Sequence, residues 1–471
     1  MKILRQLASV ATVLLSVLPT PCFGQQATHP DKPVFPKRWT MPTEQPDRVI
    51  LTFAGDPATQ QSVTWRTDTT ITRSVAEISV ADAAPRFMRN ARRVTAKTER
   101  LEASAVKGAE IIANYHSVTF ANLQPDVLYA YRVGDETHWS EWFQFRTASR
   151  ETKPFSFLYV GDAQNYILEL WSRLIRAGFT KAPDARFIIH AGDLVSEAHS
   201  ERQWHEWFTA GGWIHGMLPS VPVPGNHEYR PITPADEANK ESGLSVQWRP
   251  QFTLPLNGPA NQQETAYYFD YQGVRFIALN SNRLQAEQIP WLDSLLANNP
   301  NKWTVASFHH PIFSTANERD NKKLRDMWKP LFDKYSVDLV LQGHDHTYAR
   351  GHSGPTMQNM VSGANARDSQ TGTVYVVSVS GGKMYTFKKD AWDKYDAKLE
   401  RRAENTQLFQ LIRVEGNTLK YQSFTATGDL YDAFDIVKGA KKGTNRFVER
   451  GGNAVAERRH DNTIPYADSD K

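Results

Sequence analysis

Between residues 47 and 148 the chain alternates short runs of β-branched and aromatic residues with turn-forming ones. The runs at 49–53, 62–67, 74–80, 116–120 and 129–133 each have the length and composition of a strand. No stretch between them carries the apolar repeat of a helix. This pattern predicts an all-β sandwich of the fibronectin or immunoglobulin type over 47–149.

The pattern changes near Pro154. An apolar run at 155–160 leads into helical spacing over 166–177, where Ile167, Leu168, Trp171, Leu174 and Ile175 share one side. Buried strands are predicted at 187–189, 221–223, 273–279, 303–308 and 338–342, and helices at 200–210, 284–298 and 321–335. Strands that alternate with helices predict a layered α/β domain. Strands return at 373–379, 407–413, 417–424 and 431–437, so this second domain is placed at 150–437. Residues 438–471 are polar and charged with few large apolar side chains, and are expected to form a poorly ordered tail.

The N-terminus has a different logic. Lys2 and Arg5 precede an apolar run at 7–18, and the small residues Cys22 and Gly24 follow, which predicts a signal peptide over 1–24. The run falls short of the ~20 residues that span a bilayer, so no membrane insertion is expected after its removal. Residues 25–46, rich in Pro, Gln, Thr and Lys, read as a linker. Cys22 is the only cysteine, so the secreted or periplasmic chain relies on its core and on metals instead of disulfides. A net charge of +4 does not favour nucleic acid as a partner, and a hydrophobic fraction of 40% supplies a core for two or three domains.

Five polar motifs each follow an apolar strand-like run. They are Gly161-Asp162, Gly192-Asp193, Gly225-Asn226-His227-Glu228, His309-His310-Pro311 and Gly343-His344-Asp345-His346. Any one of them is equally a turn or a helix cap. In an α/β sheet, however, ligands bind beyond the carboxyl ends of the strands, so five separated segments are positioned to converge on one edge. Carboxylates, an amide and imidazoles suit zinc, manganese or iron, and no thiolate is present. One shared carboxylate is able to hold two such ions about 3.5–4 Å apart.

The ordered set GD, GD, GNHE, HxP, GHxH resembles the calcineurin-like metallophosphoesterase superfamily, and within it the purple acid phosphatases and their bacterial relatives. Residues 343–350 are similar to that family's GHxHxYER motif, with Ala349 in place of the glutamate. Thr64-Trp65, Leu123-Gln124-Pro125 and the segment 129–134 are similar to its N-terminal fibronectin-like domain. The resemblance spans roughly 47–437. It implies a four-layer sandwich of mixed β-sheets flanked by helices, two metal ions, and hydrolysis of small phosphate esters.

Residue by residue, the resemblance implies that Asp162 and His346 hold the first metal. It implies that Asp193 bridges, and that Asn226, His309 and His344 hold the second. His227 is implied to meet the substrate phosphate and protonate the leaving oxygen, with Glu228 orienting it. The sequence departs from the purple enzymes at Ser196, where they carry a metal-binding tyrosine. The wider superfamily often has a histidine at the position of Gln164, whose amide oxygen is expected on or beside the first metal. Plant members carry extra histidines after HxP. Here that stretch has none, and Arg319 is expected to take over part of the phosphate binding. A monoesterase is the leading expectation. A phosphodiesterase or nucleotide hydrolase on the same metals is the alternative, and a surface-binding protein with a vestigial catalytic domain is the non-enzymatic one.

Overall fold

The computed structural model describes residues 36–317, 319–353, 368–388, 390–451 and 455–459. The expected signal peptide, Cys22 and part of the expected linker lie outside the described residues. Among these residues no helix is long and apolar enough to cross a membrane.

Strands buried on both faces need apolar residues throughout, and the runs read from the sequence become such strands. Phe155–Val160, Ile188–His190 and Ser220–Pro222 lie parallel and adjacent in one sheet. Val274–Ala278, Trp303–Ser307, Leu339–Gln342 and Val374–Val377 lie parallel in a second. The pleat divides the second sheet's side chains by parity. Val305, Leu339, Leu341, Val374 and Val376 face the core shared with the first sheet. Ala306, Val340, Tyr375 and Val377 face the other way, onto the helices Ile289–Ala297 and Lys322–Tyr335. Between the sheets the rings of Phe157, Phe187, Phe269 and Phe276 interlock, with Phe157 stacked on Phe187 at 5.1 Å. The helices Ser172–Lys181 and Glu201–Gly211 cover the first sheet, which completes four layers.

The N-terminal strands form a sandwich around Trp65, Ile78, Phe120, Tyr131 and Phe145. One of its sheets is not separate. Asp47–Thr52 runs parallel to Ser220–Pro222, with Thr52 opposite Ser220, so the sheet continues into the α/β domain. A buried ionic knot secures the join. Glu201, at the start of its helix, pairs with both Arg48 and Arg66, and Arg66 also holds Asp47 through Nε at 2.8 Å. Phe143 is buried and lies against Gly216. Trp139 and Trp142 lie against the Arg132 guanidinium, at 4.1 and 4.9 Å.

The expected disordered tail is corrected in part. Asn445–Glu449 is a strand paired with Leu430–Val437. Phe447 is buried against Phe434 at 4.9 Å, and Glu449 receives the buried Arg350 guanidinium at 2.9 Å. One ring and one ion pair fix a segment whose composition alone reads as solvated.

Candidate metal centre

All five motifs leave the carboxyl ends of parallel strands. Asp162, Asp193 and Asn226 come from the first sheet, and His309, His344 and His346 from the second. The turns are tight enough to require glycine. A Cβ on Gly225 would lie 2.1 Å from Asp193 Oδ1, and one on Gly343 would lie 2.4 Å from Asp162 Oδ2. Four of the expected ligands hold left-handed backbone conformations: Asp162 (φ 51°), Asp193 (51°), His344 (76°) and His346 (43°). Such strain in non-glycine residues is characteristic of sites whose geometry the surrounding fold imposes.

Two groups of ligand atoms result, each with all members within 4.8 Å of one another. One is Asp193, His309 and His344; the other is Asp162, Asp193 and His346. They share Asp193. The imidazoles are aimed by main-chain carbonyls. His309 Nδ1 donates to Ala191 O (2.9 Å), so Nε2 is the nitrogen turned into the site. That nitrogen faces Asp193 Oδ2 (3.1 Å), Asn226 Oδ1 (3.0 Å) and His344 Nδ1 (3.1 Å), all acceptors or lone-pair atoms. His346 Nδ1 donates to Lys383 O (2.9 Å), which turns Nε2 toward Asp162 Oδ1 at 3.7 Å.

Acceptors gathered in this way need a cation. The titration behaviour expresses the same need. Against burial, the Asp193 carboxylate raises His309 to about 9, so a proton takes the place of positive charge. Burial is likewise outweighed by His309 and His227 at Asp193, which is held well below the usual carboxylate range. Burial raises Asp162 well above that range despite His309, and Asp193 adds to the rise. Burial also lowers His346 to about 3. Buried carboxylates, imidazoles and an amide oxygen fit two metal ions.

The comparisons with known proteins agree with this geometry. Residues 46–147 match the family model described as the purple acid phosphatase N-terminal domain, and residues 155–348 match that of the calcineurin-like phosphoesterases. The chain belongs to the purple acid phosphatase-like branch of the calcineurin-like phosphoesterases. It is 26% identical over 377 residues to an uncharacterized protein of Mycobacterium tuberculosis, covering 70% of this chain and 68% of that one. It is 27% identical over 303 residues to purple acid phosphatase 15 of Arabidopsis thaliana, covering 57% of this chain and about half, 53%, of that one. The solved purple acid phosphatase from yellow lupin seeds has the same fold, with a TM-score of 0.68 at 18% identity over 85% of this chain and 75% of that chain. The chain is therefore a metal-dependent phosphoesterase.

The phosphoesterase site differs from the sequence reading in how Glu228 and Arg319 are used. Glu228 does not orient His227. Its buried carboxylate accepts four main-chain N–H groups: Gly225 (2.6 Å) and Asp193 (2.9 Å) on Oε2, Leu194 (2.8 Å) and Val195 (3.2 Å) on Oε1. Burial and then the Asp193 charge push it up to about 7. His227 is aimed instead by Ser196, whose carbonyl accepts from Nδ1 at 2.6 Å, and its own N–H donates to Asp193 Oδ1 at 2.9 Å. Arg319 spends Nη1 on His344 O (2.7 Å) and Asp345 Oδ1 (3.3 Å), so it braces the His344–Asp345 turn. Only the other end of its guanidinium, near Tyr385 OH at 3.5 Å, remains for a phosphate.

Gln164 lies between Asp193 and His346. Its amide nitrogen is 2.8 Å from Asp193 Oδ2 and 3.0 Å from His346 Nε2, and among the described residues its oxygen has no partner. A half-turn of the amide exchanges the two atoms without moving the side chain, and then presents the oxygen to the first metal position. Ser196 is directed elsewhere, its hydroxyl donating to Asn165. Two neighbours escaped the sequence reading. The Lys383 carbonyl aims His346, and the Tyr385 ring packs on the His346 ring at 4.7 Å. The signal for both was Gly381-Gly382 after an apolar strand: a Cβ on Gly381 would lie 2.3 Å from Asp162 O.

Proposed function

We propose that the protein is an exported phosphomonoesterase with two divalent ions. The observation that carries this reading is the pair of ligand groups sharing Asp193. Asp162 and His346, with Gln164 beside them, would hold one ion; Asn226, His309 and His344 would hold the other. When bound, two such ions would lower the pKa of a water so that hydroxide is available near neutral pH, and would neutralise the phosphate oxygens.

The chain's own groups do the rest. The Ser196 carbonyl keeps the His227 proton on Nδ1, which leaves Nε2 free to carry a further proton to the leaving oxygen, a contribution of about 10²–10⁴-fold. Glu228 fixes the main chain that presents Asp193. The apolar N-terminal run after Lys2 and Arg5 supports export.

The test is metal content together with turnover of 4-nitrophenyl phosphate and bis(4-nitrophenyl) phosphate. Two ions per chain and faster monoester turnover are expected. Faster diester turnover would replace the reading with the phosphodiesterase one. Less than one ion per chain with no turnover would replace it with a vestigial site. His227→Ala is expected to retain both ions and lose turnover.

A further inference from the structure

A cleft of about 940 Å³ opens beside Asn226 and His310. Arg230, Arg283, Lys322 and Lys323 also line it. They come from three places: the segment after Asn226, the loop after Val274–Ala278, and the first turn of the helix Lys322–Tyr335. Asp320 is the one carboxylate on this wall among the described residues, and it is already held by Arg325 at 2.8 Å and Lys394 at 3.3 Å. Arg230 is committed to main-chain oxygens, Tyr229 O at 3.0 Å and Ser196 O at 3.2 Å, and Lys322 pairs with Asp326 on the exposed face of its helix. Arg283 and Lys323 are exposed, and among the described residues neither has a carboxylate partner. The Arg283 guanidinium is kept at the rim by the Tyr229 ring, 5.3 Å away, and the Tyr229 hydroxyl is itself fixed by Asn280 at 2.8 Å.

The helix adds to the imbalance. Its first turn has two lysines, no acidic residue and no side-chain cap. Positive side chains at that end oppose the helix dipole. The wall is thus cationic against the local preference of the helix, and it opens beside an expected metal ligand.

We propose that this cleft is a second-phosphate subsite, so that the enzyme prefers monoesters bearing another phosphate group over those with one. A phosphate there satisfies Arg283 and Lys323 together, because a guanidinium fork and an ammonium both suit phosphate oxygens. The inference rests on the phosphoesterase reading of the metal centre, which places the first phosphate beside Asn226.

The test compares initial rates on fructose 1,6-bisphosphate and fructose 6-phosphate, using the metal-replete full chain and its Arg283→Ala/Lys323→Ala variant. Wild type is expected to favour the bisphosphate. The variant is expected to lower the ratio of the two kcat/KM values by about 10-fold or more, the weight of one charge-assisted hydrogen bond, through KM. A ratio that does not change, whether both rates fall together or neither does, overturns the subsite. Should the wild type hydrolyse neither sugar, turnover of 4-nitrophenyl phosphate decides the proposed function separately. Calorimetric binding of the same two sugars then decides the subsite: tighter bisphosphate binding that the variant loses sustains it, and equal binding overturns it.

Discussion

Glu228→Gln separates two accounts of one residue. If Glu228 orients His227, the substitution lowers turnover and leaves the metals in place. The structure gives the opposite expectation. The carboxylate gathers four N–H groups from Gly225, Asp193, Leu194 and Val195. A glutamine keeps one oxygen and turns an NH₂ group toward the other two donors, so two of the four hydrogen bonds are lost. Hydrogen bonds to a charged group contribute about 1.5–3 kcal/mol each, which puts the gross loss at about 3–6 kcal/mol. Part of it is recovered because a buried charge has been removed.

What remains falls on the loop that presents Asp193, the residue common to both ligand groups. Replacing an outer partner of a metal ligand typically costs about 10–100-fold in metal affinity. The expected phenotype is weakened binding of both ions, a lower melting temperature, and activity restored by excess metal. Metal content after dialysis, thermal unfolding, and rates titrated with added metal measure all three. A variant with wild-type metal content and stability, and turnover reduced at every metal concentration, would refute the reasoning and return Glu228 to His227.

Arg350→Met is expected to destabilise by about 3–5 kcal/mol, the usual effect of removing one partner from a buried ion pair, because it strands Asp432 and Glu449, which now bind the guanidinium at 2.9–3.0 Å; chemical denaturation checks it, and a chain ending at Thr444 should lose stability by the same measurement. Stability should fall as pH drops from 6.5 to about 4, since burial lowers His215 and His116 to about 4, so the unfolded chain takes up protons that the folded one refuses, on the order of 2 kcal/mol for each histidine by pH 5. His215→Leu should flatten the dependence of melting temperature on pH over that range, and an unchanged slope would contradict the assignment. With Ser196 turned to Asn165 and no phenolate at that position, the metal-replete protein should lack an iron–phenolate absorption band in the visible, and Tyr385→Phe should leave the spectrum unchanged.

What the sequence reveals follows from which atoms specify a feature. The strands leading to the ligands are apolar on both faces and end at a glycine or a His-His-Pro, so their residue types alone betray them. Tyr348–Ser353 carries Arg350 and His352, and is buried throughout because Asp432 and Glu449 arrive from strands that begin 80 or more residues later. No local pattern announces such a strand. Lys97–Ala103 is a sheet edge with mostly exposed charged side chains, and its pairing is equally silent. The same division runs through the metal centre. The candidate ligands and His227 are written in the motifs, whereas the atoms that aim His309, His227 and His346 are the main-chain oxygens of Ala191, Ser196 and Lys383. A main-chain oxygen has no residue signature. The role of Glu228 escapes the motif for that reason: its partners are four main-chain N–H groups, and a motif that places it beside His227 says nothing about them. The motifs therefore point to side chains that the fold gathers into two candidate ligand groups, and the left-handed turns at Asp162, Asp193, His344 and His346 show how much of the arrangement the rest of the fold must impose.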